Sequence, residues 1–212
     1  RQERRRDVTL VTDERPGRDL TLPVRTDRLV LRQLRPDDLD RHAEIYGDPG
    51  VMRYLLVDVI DREHIGEHLA GRLTSTLPED DGFVCVAIED AGRVVGEGFV
   101  FHRGLGQYEV GYLLHPDEVG RGYATEAARA LVAAAFAELG AHRVFGRLDA
   151  RNDASANVLR RLGMRQEAHL RENAWVKGEW TDELVFAITE SEWTSPAPAS
   201  PAPAGVEVGG GS

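Results

Sequence analysis

The sequence is poor in cysteine, in long apolar runs and in surplus positive charge, and each shortage excludes something. A single cysteine, Cys85, rules out an internal disulfide. It lies in the apolar run Phe83-Val84-Cys85-Val86-Ala87-Ile88, where a thiol acts as a small buried residue, and no nucleophilic role is expected of it. No apolar stretch approaches the roughly 20 residues of a membrane-crossing helix. The opening RQERRRDVTL is basic but has no apolar segment behind it, so no secretory signal is expected. These absences set the expectation of no membrane partner and a cytoplasmic location. Lysine and arginine number 26 against 36 aspartates and glutamates, a net charge of −10. A chain of that sign is a poor general ligand for nucleic acid. It suits a cationic partner such as a polyamine, an aminoglycoside or a basic protein terminus, though the same charge also serves plain solubility.

What is present describes an ordinary globular chain, with 42% hydrophobic and 29% charged residues. Its 212 residues suffice for one domain with a sizeable core. Residues 1–23 are charged and broken by Pro16, Gly17 and Pro23. They read as a flexible lead-in with one short strand at Val8 to Thr12. Residues 24–193 carry the folded domain. The Pro/Ala/Gly-rich stretch 194–212 reads as a disordered tail.

Alternation predicts strands at Leu29–Leu34, Phe83–Glu89, Arg93–Phe101, Gln107–Leu114, Arg143–Leu148, Met164–Glu172 and Thr181–Thr189. Helical spacing predicts helices after Pro36, over Asp61–Ser75, after Gly122 and over Ala154–Leu162. This order does not match a doubly wound sheet. It predicts an α+β (mixed α/β) fold with a central mixed, mostly antiparallel sheet of about six to seven strands flanked by helices.

One stretch organises the rest. Val110 to Leu114 is a short apolar strand, and Ala128, Leu131, Val132, Ala135, Phe136 and Leu139 share one helical face. Between them Gly120-Arg121-Gly122-Tyr123-Ala124 opens directly into the helix. A tight glycine turn before a bare helix N-terminus is an anion site, because unpaired N–H groups and the helix dipole both favour negative charge. It is not a P-loop, which needs a lysine. Nor is it the dinucleotide fingerprint, since Thr125 stands where the third glycine belongs.

The stretch resembles the acyl-coenzyme A pyrophosphate loop of the GNAT N-acetyltransferase superfamily. The wording PDEVGRGYATEA is similar to its RimJ/RimL-type branch, which acetylates protein N-termini and small-molecule amines. A second resemblance runs from Asn152 through Ser155 to Leu162-Gly163-Met164, with Met164 in place of the usual Phe. Physically this is a helix capped by Asn152 and stopped by Gly163. The likeness extends over roughly Thr26 to Trp193, and it implies direct transfer of an acetyl group from acetyl-CoA to an amine, with no covalent acyl-enzyme and no metal.

The resemblance also implies roles. Backbone N–H groups of Gly120, Arg121, Gly122, Tyr123, Ala124 and Thr125 would hold the pyrophosphate, with Arg121 adding charge. Val119 stands where the family often has Gln or Arg, so the grip falls on the backbone. Backbone amides near Leu113 and Leu114 would polarise the thioester carbonyl. Glu109 is the first choice for the base that takes the amine proton, and Glu97 the second. Leu159 occupies the position of the family's tyrosine acid, which leaves Ser155 to hydrogen-bond the leaving sulfur; Asn152 joins the coenzyme site. A downstream glutamate that some branch members use would fall near Ala174, two residues from Glu172.

The acceptor stays open between a protein N-terminus and a small amine. A non-catalytic acyl-CoA-binding sensor or scaffold is the alternative of a different class, and monomer and homodimer are both allowed. His64-Ile65-Gly66-Glu67-His68 matches H-x-x-E-H, but Gly66 weakens the helix such a zinc site needs, and lining of the acceptor pocket is the preferred reading. Trp175 and Trp180 are expected as core or dimer contacts.

Overall fold

A computed structural model describes residues 19–77 and 82–193. Eight strands form one sheet in the order β1-β2-β3-β4-β5-β6-β8-β7. They are β1 (Val24–Arg25), β2 (Leu29–Gln33), β3 (Phe83–Asp90), β4 (Arg93–His102), β5 (Gln107–Leu114), β6 (Arg143–Asp149), β7 (Arg165–Val176) and β8 (Glu179–Thr189). Only β5 and β6 run parallel; every other neighbouring pair is antiparallel. The helices are α1 (Leu39–Tyr46), α2 (Pro49–Met52), α3 (Ile65–Leu73), α4 (Tyr123–Ala137) and α5 (Asp153–Arg161).

The alternation of β3 separates the two faces. Val86 and Ile88 join the large core under α4 and α5, while Cys85 and Ala87 join the smaller core under α3. A third cluster, Ile45, Tyr46, Met52 and Ile65, fastens α1, α2 and α3 together. Alanine-rich α4 lies close to the sheet because its inner face is small. Leu131 is fully buried there, an apolar burial contributing ~1.5–3 kcal/mol. Gly98 on β4 makes the room, since a Cβ at that position would come within 2.9 Å of Leu131 Cδ1.

The hairpin between β3 and β4 turns on Ala91 (φ 47°) and Gly92 (φ 81°), the left-handed pair that suits the strand twist. Lys177 (φ 51°) and Gly178 (φ 84°) repeat the arrangement between β7 and β8.

Several details differ from expectation. The sheet gains β1, two residues paired with Val30 and Leu31, too short for alternation to reveal. The helix predicted over Asp61–Ser75 begins later, at Ile65, because the Asp61 carboxylate accepts the Glu63 and His64 N–H groups and holds a turn. α2 is an added turn, capped by Asp48, which accepts the Val51 N–H at 2.9 Å. Packing also starts upstream of residue 24: Leu20 is buried, Leu22 packs beside it, and the Thr21 N–H donates to Glu138. The strand expected at Val8 to Thr12, most of the 1–23 lead-in and the 194–212 tail lie outside the described residues. Trp175 and Trp180 are exposed and meet edge to face, rather than filling the core.

A buried ion cluster joins β2 to the start of α1. Arg32 donates to both oxygens of Asp38 (2.8 and 2.9 Å) and to Glu89 (2.6 Å), and the Arg35 N–H donates to Asp38. Burial alone would raise the Asp38 carboxyl, but the Arg32 and Arg35 donors outweigh it and hold it below its ordinary value. Asp38→Ala leaves the Arg32 guanidinium without its bidentate partner. The expected loss is about 3–5 kcal/mol in urea unfolding; an unchanged midpoint would show that the cluster does not secure α1.

Candidate active site

β5 and β6 pair only at Gln107–Arg143, Tyr108–Val144 and Glu109–Phe145. Beyond Glu109 they part, although β6 stays paired with β8 as far as Asp149. The C-terminal half of β5 therefore has no strand partner on its β6 side. Leu159 of α5 fills the base of the opening, and Gly146 permits it, since a Cβ there would come within 3.0 Å of Leu159 Cδ1. The Tyr112 hydroxyl donates to the Ser155 carbonyl at 3.3 Å, tying β5 to α5 across the gap. Burial pushes that phenol up to about 12, so it stays protonated.

A cleft of about 290 Å³ occupies the opening. Val110 to Leu113 form one lip and Gly146 to Asp149 the other, with Asn152, Ser155 and Leu159 at the α5 side. Tyr46, Arg72, Phe99 and Phe101 line it on the opposite face of the sheet, and Tyr54 to Val57 form part of its rim. The cleft thus passes through the sheet from the α5 face to the α1/α3 face.

A single 3-10 turn, Pro116–Glu118, leads from β5 to the glycine loop. Gly120 (φ 85°) and Gly122 (φ 82°) both take the left-handed conformation, and Gly122 begins α4 with no side-chain cap. The first helical bond runs from the Glu126 N–H to the Gly122 carbonyl (3.1 Å), leaving the N–H groups of Tyr123, Ala124 and Thr125 without intrahelical acceptors. Arg28 secures the loop from behind, donating to the Arg121 carbonyl and pairing with Glu126. The Arg121 guanidinium pairs with buried Glu118 at 3.1 Å. The Tyr123 side chain turns away to Asp90 and stacks under Arg28, so the loop presents backbone. Val119 is exposed.

Of the residues singled out from sequence, Glu109, Leu113, Asn152 and Ser155 meet in the cleft. The Asn152 side-chain oxygen accepts the Ser155 N–H (3.1 Å), which makes it the N-cap of α5 and the support for Ser155. Leu114 pairs with Gly96, and its side chain packs on the large core instead. Glu109 is held by two arginines. Arg147 donates to both its oxygens (3.1 and 3.0 Å), and Arg103 donates to Oε2 at 2.9 Å. Glu172 sits exposed in a bulge of β7 and donates its N–H to Asp182, away from the cleft.

Glu97 lies behind the lining, completely buried. Its Oε1 is 2.5 Å from His42 Nδ1, and its Oε2 accepts from the Tyr46 hydroxyl (3.1 Å) and the Cys85 thiol (3.5 Å). His42 Nε2 is 2.8 Å from His68 Nδ1, and Arg72 lies 3.2 Å from His68 Nε2. The two histidines of the H-x-x-E-H stretch therefore diverge: exposed His64 pairs with Asp61, while His68 turns inward.

Reasoning from sequence missed Tyr46, Arg72, Tyr112 and Glu183 as cleft residues. Glu183 reaches the site because β8 lies beside β6 in register with Asp149. Only the strand pairing could have located it.

The model of the acetyltransferase (GNAT) domain matches residues 28–165. The chain belongs to the GNAT acetyltransferase family. An uncharacterised N-acetyltransferase of Bacillus subtilis is 29% identical over 175 residues, 80% of this chain and 98% of that protein. A GNAT-family acetyltransferase from Bacillus anthracis superposes with a TM-score of 0.73 at 25% identity, covering 81% of this chain and all of the other. Spermidine N-acetyltransferase from Vibrio cholerae, solved with CoA and spermine, superposes at 0.69 with 19% identity over 79% of this chain and 99% of that one, a likeness of fold. The chain is an N-acetyltransferase, and its eight-stranded mixed sheet flanked by helices is the GNAT fold. No helix among the described residues is long and apolar enough to cross a membrane.

In this GNAT site His68 is pushed down to about 4, first by burial and then by the Arg72 charge. The unfolded chain takes up that proton near 6.5, so between the two values the unfolded state binds more protons. Stability should therefore be fully present above pH 6.5 and decline as the pH falls toward 4. Thermal unfolding across that range should show the decline, and His68→Gln should flatten it. Equal slopes in both proteins would refute the assignment.

Proposed function

We propose that the chain transfers an acetyl group directly from acetyl-CoA to the primary amine of a small cationic acceptor, and that it belongs to the RimJ/RimL-type branch. The observation that carries this reading is the passage through the sheet: donor and acceptor can enter from opposite faces and meet between β5 and β6.

The local chemistry suits a coenzyme A. Two left-handed glycines and the uncapped α4 N-terminus fit a pyrophosphate, and a Cβ at Gly120 would occupy open space that a phosphate can use. The unpartnered edge of Val110 to Leu113 offers main-chain groups to an amide-bearing arm, and near Leu113 a backbone N–H serves the thioester carbonyl. Acetyl-CoA supplies the activated acetyl group. Ser155, held by Asn152, donates its hydroxyl to the departing sulfur.

Glu109 is the anchor of Arg147 at the lip, because Arg147 and Arg103 together engage both its oxygens. Asp149 is likewise bound to Arg151. Glu183 is the lining carboxylate with no arginine hydrogen bond among the described residues, and it attracts the acceptor's positive charge. The small volume of the cleft favours a slender amine, and the net charge of −10 favours its approach.

Thiol release from acetyl-CoA with a panel of polyamines, aminoglycosides, neutral amines and basic peptides tests the reading. Turnover is expected with cationic small amines. Glu183→Gln should raise their KM about tenfold, ~1.4 kcal/mol, with a smaller change in kcat. CoA binding without turnover on any amine would overturn the transferase reading.

Gly122→Ala forces a side chain into the left-handed region at a cost of ~1–2 kcal/mol and brings a methyl within 3.5 Å of Arg28 Nη2. Calorimetric titration should show CoA affinity weakened about tenfold; wild-type affinity would place the pyrophosphate elsewhere.

A further inference from the structure

The buried chain behind the cleft has a direction. A guanidinium can only donate, so Arg72 donates to His68 Nε2. The proton of His68 is then on Nδ1, which donates to His42 Nε2. That leaves the proton of His42 on Nδ1, which donates to Glu97 Oε1. Tyr46 and Cys85 donate to Oε2, so five residues converge on one carboxylate as the terminal acceptor. These are the charged and titratable groups that face Glu97 from α1, α3 and β3. A His68 held down to about 4 agrees with the neutral tautomer this order requires.

Such a chain exceeds what packing needs, and it touches the cleft at its two ends, through Arg72 and through Tyr46. Tyr46 lines the cleft and also bonds to Glu97, whereas Glu97 itself is sealed from it. We propose that Glu97, oriented by His42, is the store for the proton lost by the acceptor amine, and that Tyr46 passes it inward. This rests on the transferase reading above and names the base for it.

The step balances. An N–H bond of the ammonium breaks as its proton moves to the Tyr46 oxygen, and the proton of Tyr46 moves to Glu97 Oε2. The net result is a free amine, an unchanged tyrosine and a neutral glutamic acid. One positive and one negative charge vanish together in a site shielded from water, which a low dielectric favours. The amine's second proton leaves with the thiol, and Glu97 returns its proton to water through Tyr46 once the amide has gone. Burial, and then the Glu97 charge, raise the Tyr46 phenol well above its ordinary value, so it relays protons and does not ionise.

The experiment measures kcat, acceptor KM and pH dependence for wild type, Tyr46→Phe and Glu97→Gln, using the best amine of the panel, with CoA affinity and thermal unfolding as controls. Each variant should lower kcat about 100-fold and leave CoA affinity and acceptor KM within about twofold. Each should also replace the wild-type acidic limb with a rate that tracks the amine's own free-base fraction. A structural defect would move unfolding and KM instead. If Glu97→Gln does not fold, Tyr46→Phe decides, because it removes one oxygen and keeps the ring under Arg72. Folded variants with wild-type kcat and pH profile would overturn the relay alone. Absence of turnover in the wild type, with CoA still bound, would overturn the transferase reading and the relay with it.

Discussion

The parting of β5 from β6 after Glu109 is the constraint on which the rest depends. Ending a strand pairing inside a sheet exposes backbone donors and acceptors that a closed ladder would satisfy. The fold sustains the opening by three means. β6 keeps its full ladder with β8, so it cannot follow β5. Gly146 admits Leu159 into the base of the gap, and Tyr112 braces the other lip against α5. Arg147 and Arg103 grip Glu109 at the last paired position, where the split begins.

Charge is distributed to match. Arginine–carboxylate pairs brace these elements: Arg32 with Asp38, Arg28 with Glu126, Arg121 with Glu118, Arg147 with Glu109. Each fixes an element that borders the cleft or its loop. Gly96 shows how little slack the lip has, because a Cβ there would collide with the Leu113 carbonyl oxygen. Glu183 in the cleft lining and Glu97 behind it have no arginine hydrogen bond among the described residues.

Much of this was legible in the sequence, for identifiable reasons. Strands β2 to β6 follow from alternation, and β5 matches its expected bounds of Gln107 to Leu114. The Gly120–Gly122 turn and the Asn152 cap are local features, so short-range chemistry and family wording both found them. What failed was non-local. Glu109 and Glu97 look alike in sequence, and only the fold brings two arginines to one and, to the other, His42 and Tyr46 of α1 backed by His68 of α3. Glu183 joins the cleft through strand register alone, and Leu20 shows its place in the core only once α4 is laid over the sheet. The H-x-x-E-H spacing correctly put two histidines near each other on the chain, but α3 begins at Ile65, which leaves His64 in solvent and His68 inside.

Arg72 completes the electrostatic argument. It stacks over Tyr46, Phe83 and Phe99, donates to His68, and lines the cleft; its buried Nε has no partner among the described residues. A guanidinium tolerates such partial desolvation on aromatic faces better than an ammonium does. Its charge offsets that of Glu97 across two neutral imidazoles, so the sealed region is close to neutral before the acceptor arrives. A bound ammonium then adds one uncompensated positive charge next to Arg72. Losing a proton to Glu97 relieves that repulsion, but it leaves Arg72 itself uncompensated beside a neutral amine.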